Sequence, residues 1–178
     1  GCGFWEQCAQ WQSFQDYPEE MFTSYNFDVW LNNNHRHFEN EWMRYASYWL
    51  QSYWTMKHGI ETIGNIWRES VYPEDAISAY TRLYCNGDWS KTKKELYDYA
   101  SRMATFDIDG VREYSEGYLG RYHTTFYTSG EYYQVAYANC PEATGFNVIP
   151  LNVPDAGNMV VAADFVGLEP GATLASGD

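Results

Sequence analysis

Glu6 stands inside Trp5-Glu6-Gln7-Cys8-Ala9, a carboxylate set in an aromatic-rich run that directly follows Gly-Cys-Gly. A carboxylate in that place is either a metal ligand or an ordinary helix residue. The densest group of metal-ligating side chains lies at His35-Arg36-His37-Phe38-Glu39-Asn40-Glu41. If that stretch opens a helix, His35 shares a face with Glu39, and His37 with Glu41, at i, i+4 spacing. Zinc accepts imidazole nitrogen and carboxylate oxygen, but a closed site needs three or four ligands, more than one such pair supplies. A solvated helix start carrying His–Glu pairs explains the same residues more simply. Asp107-Ile108-Asp109-Gly110 has the opening of a calcium loop but lacks its third acid and its closing Glu. Helix capping by Asp accounts for it. His58 and His123 stand alone in the sequence, one at a helix stop and one on a strand. There is no G-x-S-x-G, no P-loop and no Rossmann glycine pattern, so the chemistries that leave those signatures have no support.

The elements that must position these residues read as follows. Phe4, Cys8, Trp11 and Phe14 predict a helix over 4–15, widened by Trp5 and Ala9, with Glu6, Gln10 and Ser13 on another face. Tyr17-Pro18-Glu19-Glu20 restarts a helix, since proline and acids suit a first turn, and Asn32-Asn33-Asn34 closes it. Phe38, Trp42, Tyr45, Trp49, Tyr53 and Met56 predict the longest helix, about 37–57, stopped by Lys57-His58-Gly59. Shorter helices follow at 60–67, 74–85, 90–105 and 108–118. In the 90–105 helix the buried face is Leu96, Tyr97, Ala100, Met103 and Ala104. After Gly120 the period changes: 122–128 and 131–137 predict a hairpin around Ser129-Gly130. Residues 146–153 and 159–166 predict further strands, with Pro150 forcing an edge position or a bulge. The fold expected is mainly α, a bundle-like helical subdomain followed by a small, truncated antiparallel β-module. Its parts are a helical subdomain (1–120), a hairpin with connecting loop (121–142) and the start of a β-sandwich-like module (143–178).

The 178 residues carry a net charge of −13. Such a surface repels phosphate backbones, so nucleic acid is not an expected partner. An aromatic content of 19% argues against disorder. No apolar run reaches the roughly 20 residues that span a bilayer. Cys2, Cys8, Cys85 and Cys140 show no C-x-x-C spacing. Their even number fits an oxidising compartment, and free buried thiols fit it equally.

The run Gly3-Phe-Trp-Glu-Gln-Cys-Ala-Gln-Trp-Gln-Ser-Phe-Gln-Asp-Tyr-Pro18 resembles a family of secreted bacterial proteins of unknown function related to gluzincin-type zincin metallopeptidases. So do Trp67-Arg-Glu-Ser70, Pro73-Glu-Asp75, Tyr97-Asp-Tyr-Ala-Ser-Arg-Met103 and Asn147-Val-Ile-Pro-Leu-Asn-Val-Pro154. In such families an H-E-x-x-H helix gives two zinc ligands and the general base, and a Trp-Glu-x-x-Ala-type helix downstream gives the third ligand. Trp5-Glu6-Gln7-Cys8-Ala9 matches that second helix, so the resemblance implies Glu6 as the third zinc ligand. The chain itself holds no H-E-x-x-H, its histidines standing at 35, 37, 58 and 123. The resemblance therefore implies a secreted fragment from downstream of that motif. Zinc would be held in the parent protein and not by this piece, which contains no catalytic residue of its own. The alternative is a non-catalytic extracellular module for glycan or surface protein, which a coplanar row of exposed aromatics would favour. A third possibility places every aromatic in the core, with no cleft beside Glu6.

Overall fold

The structure is a computed structural model and describes residues 2–129, 132–151, 153, 157–158, 160–164 and 167. The chain divides into two compact units, Gly1–Val148 and Ile149–Asp178. Among the described residues the first unit carries six α-helices: Cys2–Asp16 (α1), Tyr25–Asn33 (α2), Trp49–His58 (α3), Glu61–Glu69 (α4), Ala76–Tyr84 (α5) and Trp89–Met103 (α6). A hairpin of Phe126–Ser129 (β1) and Tyr132–Val135 (β2) follows. The strands pair antiparallel, Phe126 opposite Val135 and Ser129 opposite Tyr132, as the alternating runs predict. The described residues of the second unit form neither helix nor strand.

The helix ends follow local chemistry. Ser24, Asp75 and Asp88 cap α2, α5 and α6 by accepting backbone N–H groups of the first turn. Gly59 closes α3 at φ +92°, a backbone conformation that favours glycine. The first six residues of α3, Trp49 to Trp54, are all buried, which makes this helix the strut around which the unit packs. Phe27, Trp30, Trp49, Phe106 and Tyr122 form one aromatic cluster, with Trp30 5.4 Å from both Trp49 and Tyr122. Each such ring withdrawn from water contributes on the order of 2–3 kcal/mol of transfer free energy.

Several expectations are corrected. The long helix over 37–57 begins only at Trp49. Upstream of it Asn40 accepts the Trp42 N–H at 3.0 Å and starts a 3-10 turn, Glu41–Met43. Tight turns through Met43 then satisfy the backbone, leaving Trp42 69% and Tyr45 37% exposed. Pro18–Glu20 is likewise a 3-10 turn, not the start of α2. The helix over 108–118 is replaced by two such turns. There Asp107 and Asp109 pair with Arg112 at 2.6 and 3.2 Å and do not cap a helix.

The strand at 146–153 does not form among its described residues, and at its start the backbone bonds elsewhere. Phe146 donates its N–H to the Asn34 carbonyl at 3.0 Å. The described part of 159–166 is also irregular; Met159, Phe165 and Val166 lie outside the described residues.

Candidate functional site

On α1 the buried stripe is Phe4, Gln7, Trp11 and Phe14. Gln7 takes the place expected of Cys8 because its Nε2 donates to the Phe38 carbonyl at 2.6 Å, a partner that makes its complete burial affordable. Trp5 and Ala9 face outward instead of widening the stripe. Glu6, beside them, is half-buried.

Glu6 lines a surface groove of about 380 Å³ with Phe4, Trp5, Trp67, Ser70, Glu74, Asp75 and Ala76. Three elements build it: the first turns of α1, the end of α4, and the segment that enters α5. Trp67 stacks on Phe4 at 5.2 Å and meets Trp5 edge to face, at 5.4 Å and 81°. Both indoles stay accessible, Trp5 at 66% and Trp67 at 43%.

The groove's carboxylates differ in their commitments. Glu74 takes the Arg82 guanidinium at 2.6 and 2.8 Å and the Val71 N–H at 3.1 Å. The Arg82 hydrogen bonds and the Val71 N–H hold its carboxyl down to about 2. Arg82 is further engaged by the Glu69 carbonyl at 2.6 Å. Asp75 spends one oxygen on the Ser78 N–H at 2.6 Å. The Glu6 carboxylate has no hydrogen bond or ion pair among the described residues.

The His35–Glu41 group is not a helix start. His35 and Glu39 sit in turns, and the i, i+4 faces do not exist there. His35 is 5% exposed, and burial lowers its pKa, with Arg36 adding to the effect and Glu142 opposing it. The His37 N–H donates to Glu142 Oε2 at 2.6 Å, and its ring Nδ1 accepts the Glu39 N–H at 3.0 Å. Glu39 Oε1 is buried without a partner among the described residues, and Glu41 pairs with Arg44 at the surface. These residues pin the loop at 34–40 to the strap at 142–146. Among the described residues no three His, Cys, Asp or Glu side chains gather as a metal group. Glu6, His35, His37, Glu39 and Glu41 are thus not gathered into such a group among the described residues.

His58, isolated in the sequence, is not isolated in space. Its Nε2 lies 2.8 Å from the Tyr80 hydroxyl, which donates to Glu95 Oε2. Cys85 donates to the same oxygen at 3.7 Å, and Lys57 stands 3.6 Å from the other. Glu95 is 8% exposed, so a carboxylate joins α3, α5 and α6 inside the core. The buried face of α6 is consequently Thr92, Glu95, Tyr99 and Met103, and Tyr97 is 77% exposed. Thr92, Glu95, Tyr99 and Met103 recur at three and four residues, which was the available signal. A charge within that row disguised it.

Residues 1–177 match the sequence profile of a family described as a family of unknown function, DUF6055. The chain belongs to the DUF6055 family. No curated protein matches it, and no solved structure does. Nearly the whole DUF6055 chain is covered, including the α1 stretch with Glu6 and the segment from Trp67 to Asp75. Among its described residues no helix is long and apolar enough to cross a membrane.

Proposed function

We propose that this DUF6055 chain is a non-catalytic binding module whose ligand, a glycan or a segment of a surface protein, occupies the groove beside Glu6. One observation carries this: two indoles left in water form a concave wall next to a carboxylate with no described partner. Trp11, Trp30, Trp49 and Trp54 are all in the core, so the chain buries tryptophan where packing alone decides. Accessible aromatics in a concavity with a few convergent polar groups are the usual form of a ligand site. Titrating a panel of oligosaccharides and peptides tests the proposal. It expects saturable binding that Trp5→Ala weakens at least about fivefold without changing the thermal midpoint appreciably. Binding indifferent to Trp5, or none across the panel, would count against it.

A second reading keeps Glu6 as the third zinc ligand of a longer, secreted zincin-like hydrolase. Its support is the position of Glu6 in a groove, uncommitted to any described group. Zinc would then be held with two histidines from an H-E-x-x-H segment and would activate a water for attack on a peptide carbonyl. Metal analysis of a natural protein carrying such a segment tests this: Glu6→Ala should lose stoichiometric zinc, and retention would sink the idea.

A further inference from the structure

We infer that the occupant of this groove is a lysine or arginine side chain on a basic segment of a partner protein, an inference that rests on the groove being a ligand site. Three observations favour a cation over a sugar. First, Trp5 and Trp67 stand at 81° to one another. The two rings therefore share no flat platform, whereas the Trp5 indole, 66% exposed, offers the kind of accessible ring whose quadrupole attracts a compact cation. A sugar platform would instead use rings lying in one plane.

Second, beside the indole N–H groups the uncommitted side-chain atoms of the lining are carboxylate acceptors. Glu6 is uncommitted and Asp75 has an oxygen without a described partner, whereas the Ser70 hydroxyl already donates to the Ile66 carbonyl. A sugar hydroxyl needs both donors and acceptors around it. An ammonium or guanidinium has donors only, so acceptors alone satisfy it. Third, no lysine or arginine lines the groove, and nearby Arg82 is held by Glu74 and the Glu69 carbonyl. A cation entering therefore displaces nothing. The net charge of −13 draws a basic partner toward the surface from a distance.

The test is a titration followed through the indole N–H resonances of the labelled protein. The probe is an acetylated, amidated Gly-Lys-Gly-Arg-Gly peptide. Its controls are the same peptide with norleucine and citrulline in place of the cations, and cellohexaose. The inference expects the basic peptide to shift Trp5 and Trp67, and the uncharged peptide to bind at least about tenfold more weakly. Trp5→Ala and Glu6→Gln should each cost at least about threefold. Equal binding of the uncharged peptide overturns the inference. So does an unchanged affinity in Trp5→Ala, which would mean diffuse attraction to an acidic surface. If cellohexaose shifts the two indoles and the peptide does not, the cation is wrong while the groove stands as a site. If neither ligand shifts them, both fail.

Discussion

Glu95 shows how a single carboxylate can hold three helices. Tyr80 and Cys85 of the α5 end donate to it, and Lys57 of α3 stands beside it. Glu95→Ala strands those groups, and an unfolding titration should show a loss of about 1–3 kcal/mol. Tyr80→Phe, which leaves Lys57 in place, should cost less. The cysteines separate by environment. Burial pushes the Cys8 thiol up to about 11, against opposing contacts from Trp67 and Gln51, and burial likewise raises Cys85. Cys140 is free and exposed. Alkylation near a pH of about 8, mapped by peptide mass, should modify Cys140 before Cys8 and Cys85, because the thiolate is the reactive form. Faster labelling of Cys8 than of Cys140 would contradict its partly buried placement. Neither the buried Glu95 nor the outward Trp5 was legible in the sequence. Each violates the local rule for its residue type, and only partners distant in the chain explain it.

At the scale of elements, the end of α3 and the starts of α5 and α6 follow local signals, Gly59, Asp75 and Asp88, although the start of α3 and the buried face of α6 do not follow apolar spacing. The segment between α2 and α3 does not. Its three/four spacing suits a helix, yet Asn40 and the strap at 142–146 compete for its backbone. Gly145 reports that competition. A Cβ there would lie 1.9 Å from the His35 carbonyl oxygen, and 2.9 Å from that of Arg36. Gly145→Ala should therefore destabilise by at least about 1–3 kcal/mol in a denaturant melt, the range for overpacking.

Two histidines and a paired carboxylate set a pH dependence. Burial lowers the pKa of His35 and of His58; for His58 it prevails over the opposing charge of Glu95, and Lys57 and Lys91 lower it further. A histidine whose folded pKa lies below its unfolded value of 6.5 resists protonation only when folded. Stability should thus hold above 6.5 and fall as pH drops below it. Glu74 adds a second loss at lower pH, beginning near its ordinary 4.5 and running down to about 2 as its pairing with Arg82 is protonated away. Urea midpoints that rise between neutral pH and pH about 5 would contradict the histidine placement.

At the scale of the whole molecule, acidity and aromatic content act together. With a net charge of −13, binding of a basic segment should weaken as salt rises past about 0.15 M, where fields reach only some 8 Å. The mainly helical fold with its small hairpin was legible from period and punctuation. The groove was legible only at one corner: Glu6 stood out, but Trp67 and Asp75 reach it from α4 and the entry to α5. The chain also has accessible tryptophans away from the groove, Trp42 at 69% and Trp89 at 50%, and these serve as internal controls. The most direct measurement is residue-resolved indole N–H spectroscopy during titration with the ligand panel. Shifts confined to Trp5 and Trp67, with Trp42 and Trp89 still, are the predicted result. Shifts at Trp42 or Trp89 while Trp5 and Trp67 stay unmoved would place the ligand elsewhere and contradict the account.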